Sequence, residues 1–202
     1  MTVKVGIFVF PDVEVLDFAG PYEVFTTAAR VSLRQNPAAG RPFEVFTVAE
    51  SAATFKARAG LTVLPDFAFG QHAAIDLLIV PGGVVTAELE KPVVVDWIAA
   101  TAVQARIAAA VCTGAFLLGQ AGLLDGRRAT THWEDIADLR RDFPQIDVVA
   151  DRRWVDEGSV VTSGGISAGI DMSLHLVERL AGRDLALRTA RQMEYRWDEA
   201  IS

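Results

Sequence analysis

The sequence predicts an α/β protein in which helices cover both faces of a mostly parallel sheet. Two observations lead to this prediction. Apolar runs of about four to eight residues are bounded by turn residues, as in strands that are buried on both faces. Segments with helical spacing separate these runs, and such alternation is typical of a doubly wound, three-layer α/β/α architecture. Ligands of such folds bind beyond the carboxyl ends of the strands.

Short apolar runs account for the strands. The sheet is predicted to contain Val3–Phe10, Phe43–Val48, Ile75–Val80 and Ile107–Val111. Residues 148–161 predict two further short strands, and the turn Asp156-Glu157-Gly158-Ser159 between them is the pattern of a hairpin.

Helix signals fall between and after these strands. A proline at the first helical position opens the first two helices, and Thr131-His132-Trp133-Glu134 is a capping box that opens the fourth. The predicted helices are Pro21–Leu33, Pro92–Val103, Thr113–Ala121, Thr131–Arg141, Ile166–Leu180 and Asp184–Tyr195.

Composition limits the class of protein. A length of 202 residues with 51% hydrophobic residues suits one large core, so we expect a single domain over residues 1–202. No apolar run approaches the roughly 18 residues that cross a bilayer, and the amino terminus lacks a signal-peptide pattern. The net charge of −7 argues against binding to a phosphate backbone. We therefore expect a soluble cytoplasmic protein with no membrane or nucleic-acid partner.

The chain has one cysteine, so it cannot form an intrachain disulfide, and a reducing compartment is the simplest setting. Together with three scattered histidines, this cysteine gives no spacing typical of a metal site. We expect no metal.

The lone cysteine, Cys112, falls between a strand and a helix. It directly follows Ile107–Val111 and precedes the helical segment Thr113–Ala121. A nucleophile on a tight elbow is presented at such a position. Backbone N–H groups of the first helical turn favour the thiolate and can bring a cysteine pKa to roughly 3.5 to 7.5. We therefore expect Cys112 to be a reactive thiolate, and the alternative is a buried core cysteine.

Pro81-Gly82-Gly83 follows a strand that ends at the same sheet edge as Cys112. The N–H groups of Gly82 and Gly83, with that of Thr113, are candidates to hold negative charge on a substrate that sulfur attacks. The alternative is an ordinary turn.

Asp17 follows the first strand and is flanked by apolar residues, where an unpaired carboxylate is costly. Near a thiolate its pKa would be raised, and it could transfer a proton during a reaction. The alternative is that Asp17 binds loop amides before the helix that opens at Pro21.

Thr113 and His132 are further candidates for the site, whereas His175 is expected to have only a local structural role. Thr113 offers a hydroxyl beside the sulfur. His132 is predicted in the first turn of the helix capped by Thr131, where a structural hydrogen bond is its expected role. His175 lies one helical turn after Asp171, and a local ion pair or core contact would explain both residues.

These residues resemble the ThiJ/PfpI superfamily, which is class I glutamine amidotransferase-like, almost from end to end. The matching motifs, in the order that the superfamily uses, are Val5–Pro21, Pro81–Gly83, Ala110–Gly119, Arg127–Trp133 and Thr162–Asp171. The resemblance implies a flavodoxin-like sandwich, a cysteine on a strained elbow and a homodimer.

Within the superfamily, the residues around the cysteine are similar to those of the isocyanide hydratases. The peptidase branch has His directly after Cys, where this chain has Thr113, and branches that act on glyoxals carry Glu, where this chain has Asp17. The combination of Asp17, Cys112 and Thr113 implies hydration of an isocyanide to an N-substituted formamide. The substrate would be a small molecule, and no cofactor is needed.

The resemblance also implies a role for each residue. Cys112 would attack the terminal isocyanide carbon to give a thioimidate, Asp17 would handle protons, and Thr113 would assist through its hydroxyl and N–H. The Gly82-Gly83 turn would orient the intermediate. Phe18 and Trp133 would supply apolar walls, although both suit a core equally well.

A sensing domain is the alternative to an enzyme. Amino-terminal domains of certain AraC-type transcription regulators look similar through Cys112–Gly122 and the Thr131-His132 motif. Their pockets bind a ligand without turnover, and they continue into a basic DNA-binding region of roughly 100 residues. This chain ends at Ser202, so we expect no DNA binding. A lone ligand- or redox-sensing module stays open, since an accessible thiolate is readily oxidised.

Overall fold

A computed structural model describes residues 2–198 of the chain, in which strands and helices alternate along much of the sequence. The strands are β1 (Val3–Phe8), β2 (Phe43–Ala49), β3 (Phe55–Lys56), β4 (Thr62–Val63), β5 (Phe67–Ala68), β6 (Leu77–Val80), β7 (Ile107–Val111), β8 (Arg128–Ala129), β9 (Asp147–Val148), β10 (Trp154–Asp156) and β11 (Val160–Ser163). The α-helices are α1 (Val15–Gln35), α2 (Thr86–Leu89), α3 (Pro92–Gln104), α4 (Gly114–Gln120), α5 (Ile136–Asp142), α6 (Ala168–Ala181) and α7 (Arg183–Gln192). Short 3-10 helices cover Pro37–Ala39, Arg58–Gly60 and Trp133–Asp135.

The main sheet has seven strands in the order β10-β11-β7-β6-β1-β2-β5. All neighbours pair in parallel except β10 and β11, which form the predicted antiparallel hairpin. The order reverses between β1 and β6, and β7 follows β6 in the centre of the sheet. The carboxyl ends of these three strands therefore lie side by side at one edge, which is the predicted place for a ligand.

Two hydrophobic cores lie on the two faces of this sheet. Helices α1, α6 and α7 contact one another over the first core, and α3 and α4 pack over the second. Side chains of β1 point alternately to the two faces and so contribute to both cores: Val5 and Ile7 belong to the first core and Phe8 to the second. All three side chains are fully buried, and burial of each contributes about 1.5 to 3 kcal/mol. The predicted flavodoxin-like three-layer fold is confirmed.

The predicted start of the first helix at Pro21 is wrong. The helix begins at Val15, whose N–H donates to the Glu14 side chain at 3.2 Å, and Pro21 is buried inside it. A proline inside a helix removes one backbone hydrogen bond, which is why the sequence predicts a later start. Because the helix starts early, Asp17 lies in its first turn rather than in a loop before it.

The capping box predicted at Thr131 is also wrong. The Thr131 hydroxyl donates to the carbonyl oxygen of Cys112 at 2.8 Å, so it does not cap the next helix. Instead, His132 precedes the short helix Trp133–Asp135, and its Nδ1 accepts the N–H of Glu134 at 3.4 Å. A tertiary contact thus takes the hydroxyl that a local motif would have used.

Two other expectations are corrected in the second half of the chain. Asp171 and His175 do not pair with each other: Asp171 accepts hydrogen bonds from Arg153, and His175 Nε2 lies 2.7 Å from Asp156. The last helix ends at Gln192 rather than near Tyr195. None of the helices within residues 2–198 has the length and apolar content to cross a membrane.

Candidate active site

Cys112 lies on a strained elbow between β7 and α4. Its φ angle is +58°, in the left-handed region that non-glycine residues rarely adopt. Both backbone groups are fixed: the N–H donates to the carbonyl oxygen of Ser163 at 3.1 Å, and the carbonyl accepts the Thr131 hydroxyl. Such strain persists only where surrounding contacts hold it, and it is concentrated at functional sites.

The segment Gly82-Gly83 packs directly against the elbow. A Cβ atom at Gly82 would lie 2.6 Å from the Thr113 nitrogen and 2.9 Å from Asp17 Oδ2, so only glycine fits there. The Thr113 hydroxyl donates to the Gly83 carbonyl at 2.9 Å and accepts the Gly83 N–H at 2.9 Å. The Gly82 N–H donates to Asp17 Oδ2 at 3.2 Å.

These contacts correct the predicted roles of the two glycines and of the threonine hydroxyl. The N–H groups of Gly82 and Gly83 already bind Asp17 and Thr113, so neither is free to hold charge on a substrate. The Thr113 hydroxyl is likewise engaged in both directions. The three residues instead hold Asp17 and the elbow in place through these hydrogen bonds. The N–H of Thr113 donates to the sulfur of Cys112.

Asp17 is fully buried and touches the cysteine side chain. Its Oδ2 accepts the N–H of Gly82, its Oδ1 accepts the N–H of Ile166 at 3.0 Å, and a hydrogen bond joins it to the thiol of Cys112. Burial raises the pKa of Asp17 to about 7, against the lowering effect of these hydrogen bonds. A carboxyl group with this pKa both accepts and releases a proton near neutral pH.

The predicted low pKa of Cys112 is wrong. Burial, and then the negative charge of Asp17, raise the pKa of the thiol, and the Thr113 N–H only partly opposes them. The residue is 7% exposed, so desolvation outweighs the amide dipoles on which the sequence argument relies. Cys112 is therefore a neutral thiol near neutral pH, beside a carboxyl group that changes its protonation state in the same range.

His132 lies close to the cysteine, with Gly165 beside both residues. Its ring is so close to Gly165 that a Cβ atom on this glycine would overlap His132 Cδ2 and lie 3.2 Å from the sulfur of Cys112. Its Nδ1 is 3.4 Å from Asp135 Oδ2 and accepts the N–H of Glu134. The structural hydrogen bond expected for His132 is present, and the ring also forms part of the cavity wall.

Sequence reasoning missed Gly165 and Ile166. Ile166 has a φ angle of +55°, which is an outlier for a β-branched residue, and its N–H is one of the two that bind Asp17. Gly165 leaves room for both the histidine ring and the sulfur. Gly164-Gly165 directly follows β11, whose carboxyl end lies beside that of β7, and this is the signal that could have placed both residues in the site.

An open cavity of about 520 Å³ lies over the elbow, and Cys112 and Thr113 form part of its floor. Cys112 thus lines the cavity although the residue is only 7% exposed. Trp133 and Phe18 do not line this cavity: Trp133 is 76% exposed, and Phe18 packs between the two cores. Within residues 2–198, no three His, Cys, Asp or Glu side chains are grouped to hold a metal ion.

The fold and the elbow together define a class of α/β sandwiches that carry a cysteine where a central parallel strand turns into a helix. The chain belongs to the DJ-1/PfpI family, which it matches over residues 3–179. This match confirms the resemblance to the ThiJ/PfpI superfamily.

Individual relatives extend this comparison. The chain is 36% identical to the isonitrile hydratase of Pseudomonas putida over 198 residues, which cover 96% of this chain and 79% of that protein. It is 36% identical over 136 residues to the HTH-type transcriptional regulator GbdR of Pseudomonas aeruginosa, covering 67% of this chain and 37% of the regulator. The crystal structure of a THiJ/PfpI family protein from Pseudomonas syringae superposes with a TM-score of 0.84 at 26% identity, covering 100% of this chain and 78% of that one.

Proposed function

We propose that the protein is a cysteine-dependent isonitrile (isocyanide) hydratase that converts an isonitrile and water to an N-substituted formamide. The observation that carries this proposal is the interaction of the Cys112 thiol, which lines an open cavity, with the fully buried carboxyl group of Asp17, whose pKa is about 7. The similarity to the isonitrile hydratase of Pseudomonas putida over nearly the whole chain supports the choice of substrate.

The first step joins the sulfur of Cys112 to the terminal carbon of the isonitrile. A sulfur lone pair forms the S–C bond as Asp17 accepts the thiol proton, and Asp17 then gives this proton to the same carbon. The product is a thioimidate, in which the former isonitrile carbon carries sulfur, hydrogen and a double bond to nitrogen. The pKa of Asp17 suits this transfer because the group changes its protonation state near neutral pH.

The second step is hydrolysis of the thioimidate by water from the cavity. Asp17 takes a proton from the water as the water oxygen bonds to the thioimidate carbon. Asp17 then passes that proton to the thioimidate nitrogen. The hydroxyl then loses its proton to Asp17, the C–S bond breaks, and Asp17 returns the proton to the departing sulfur. One isonitrile and one water give one formamide, and the thiol and the carboxylate are regenerated.

The neighbouring residues hold this pair in place. Gly82 and Ile166 fix the two oxygens of Asp17 through their N–H groups. The Thr113 hydroxyl holds Gly83, and its N–H stabilises negative charge on the sulfur. Thr113, Gly82 and Gly83 are thus positioning residues in the proposed mechanism, and His132 shapes the wall.

The proposal is tested by mixing the protein with n-butyl isonitrile and following formamide production by NMR. We expect turnover by the wild type, none by Cys112→Ala, and a loss of about 10²-fold or more in Asp17→Asn, because proton transfer contributes about 10²- to 10⁴-fold. Asp76→Asn is the matched control, since Asp76 also accepts a backbone N–H but lies at the far end of β6. Equal inertness of the wild type and both site variants would refute the hydratase.

The second candidate is a ligand- or redox-sensing module without turnover. The similarity to the regulator GbdR favours it, although the chain spans only about a third of that protein. The raised pKa of Cys112 opposes the redox form, because the thiol is less reactive to peroxide than the thiolate. Intact mass after mild peroxide treatment distinguishes the two: rapid addition of oxygen at Cys112 with no isonitrile turnover would favour the sensor.

We also propose that the protein works in the cytoplasm as a homodimer and without a cofactor. The lone free cysteine suits a reducing compartment, and the dimer follows the expectation for the family. Light scattering on the purified protein tests the dimer: a mass near 21.8 kDa, that of one chain, would exclude it.

A further inference from the structure

One wall of the cavity over Cys112 is built from carboxylates. Asp135, Asp138 and Asp142 recur at spacings of three and four residues along one face of the segment that contains α5, and all three line the cavity. Glu134 and Glu14, which directly precedes α1, also line the cavity.

Positive charge does not balance this wall. Among the cavity-lining residues within 2–198, Arg58 is the one lysine or arginine, and it lies 3.4 Å from Glu14. Arg141 pairs with Asp138 and Asp142 from outside the cavity. The side chains of Arg58 and Arg141 are 60% and 66% exposed, so solvent screens both pairs.

The negative field reaches the reacting sulfur. Burial and the like charges of Asp138 and Glu134 raise the pKa of Asp135, against the lowering effect of His132. Asp135 in turn contributes to the raised pKa of Cys112. A ligand at the sulfur therefore lies within the field of Asp135, which belongs to the acidic wall.

Helix stability does not explain the position of Asp142. This residue is the last of α5, and a carboxylate at a helix carboxyl terminus is unfavourable with respect to the helix dipole. The same residue contributes negative charge to the cavity. Asp142 thus destabilises the end of its helix and at the same time makes the potential in the cavity more negative.

Apolar side chains also line the cavity. They are Val84, Val85, Leu89 and Phe116, and Val85 and Phe116 belong to the second core, which keeps them fixed. A cavity lined by both carboxylates and apolar side chains fits a molecule that carries both a positive charge and alkyl groups.

We propose that this cavity selects organic cations: its substrate is an isonitrile whose alkyl substituent carries an ammonium group, and carboxylate-bearing isonitriles are excluded. The isonitrile part rests on the proposed function, whereas the selection by charge rests on the acidic wall alone. Charged clefts raise the local concentration of ligands of opposite sign and repel those of like sign.

A covalent probe tests the charge selection without turnover. Cys112 is the only cysteine, so intact mass reports its modification directly. Two methanethiosulfonates of similar size, one with a trimethylammonium and one with a sulfonate group, each form a mixed disulfide with the thiol and release methanesulfinate. We expect the cation-to-anion rate ratio to exceed that of free cysteine by about ten- to a hundredfold at low salt, and to fall as salt is added.

Charge-neutral variants assign the effect to the wall. Asp138→Asn/Asp142→Asn removes two charges from exposed side chains, and we expect the rate ratio to fall by about tenfold toward that of free cysteine. Glu44→Gln, an exposed residue at the far end of β2, is the control for charge and should leave the ratio unchanged. A wild-type ratio equal to that of free cysteine, or one that the double variant does not change, would overturn the proposal.

Three isonitriles of similar length separate this inference from the proposed function: 3-(dimethylamino)propyl isonitrile, n-pentyl isonitrile and 4-isocyanobutanoate. A higher kcat/KM for the first and a lower one for the last than for the neutral compound would support the inference. Equal values for all three would overturn the charge selection and leave the hydratase intact. Hydration of none would refute the hydratase, and the methanethiosulfonate ratio would then decide the charge selection alone.

Discussion

Replacing Asp17 by Asn isolates the electrostatic cost of this buried carboxylate. Asp17 is fully buried with a pKa of about 7, whereas an aspartate in an unfolded chain titrates near 3.9. Because the folded state holds the Asp17 proton more tightly than the unfolded chain, protonation of Asp17 adds to the free energy of unfolding. This addition is complete below the unfolded pKa and is lost as the pH rises through about 7. Integrated between about pH 5.5 and 8.5, the loss is about 2 kcal/mol.

The assay is urea unfolding of the wild type and of Asp17→Asn across this pH range. Asparagine cannot accept both backbone N–H groups that Asp17 accepts, so the variant carries a constant penalty of about 1 to 3 kcal/mol. Other titrating groups are common to both proteins and cancel in the difference. We expect the stability of the wild type relative to the variant to fall by about 2 kcal/mol from about pH 5.5 to about pH 8.5.

A difference that does not change with pH would refute this reasoning. It would mean that Asp17 titrates alike in the folded and unfolded states, and proton transfer by Asp17 near neutral pH would lose its physical basis. A difference that changes in the opposite direction would mean that the hydrogen bonds to Asp17 outweigh its burial.

Further predictions concern three contacts around and beyond the site. Thr113→Val leaves both backbone groups of Gly83 unpaired and should cost about 1 to 3 kcal/mol in urea unfolding, with recovery in Thr113→Ser. Gly165→Ala places a methyl against His132 and should cost about 1 to 3 kcal/mol and slow alkylation of Cys112, whereas Gly164→Ala has only ordinary contacts and should do neither. Asp156→Asn should destabilise by about 1 to 3 kcal/mol near neutral pH. Against the raising effect of burial, the hydrogen bonds from His175 and the Gly158 N–H, together with Arg179, lower the pKa of Asp156. The loss should therefore shrink in acid, because the contribution of Asp156 disappears as it is protonated. Equal loss at all pH values would contradict the assignment.

Much of the fold could be predicted from the sequence because its signals are local. The apolar runs that begin at Val3, Phe43, Ile75 and Ile107 each contain a strand, although the third strand begins only at Leu77, and the hairpin around Gly158 forms as its turn residues indicate. Errors occur where tertiary contacts override a local motif. Pro21 predicts a helix start, yet the turn before it is helical, and Thr131 binds the carbonyl of Cys112 instead of capping a helix.

The site shows the same division. Strand order and the parallel arrangement bring Asp17, Gly82 and Cys112 to one edge, and this follows from sequence because carboxyl ends of parallel strands meet. The protonation state of Cys112 could not be predicted, since it depends on how far the sulfur is removed from water. The part played by Ile166 could not be predicted either, because its contribution is a backbone N–H.

The acidic wall could not be predicted from the sequence for a different reason. Asp138 and Asp142 are ordinary surface residues of a short helix until the structure places that helix beside the cysteine. Their significance lies in a juxtaposition of α5 with the elbow that no local pattern encodes.

The most direct test of the central claim is the mass of the protein during reaction with an isonitrile. The reaction is quenched in acid within milliseconds to seconds, and the intact protein is weighed. The proposed mechanism predicts a species heavier than the free protein by the mass of one isonitrile, located at Cys112 by peptide mapping and absent from Cys112→Ala. Formamide production with no such species at any quench time, or with undiminished rate in Cys112→Ala, would contradict covalent catalysis by Cys112.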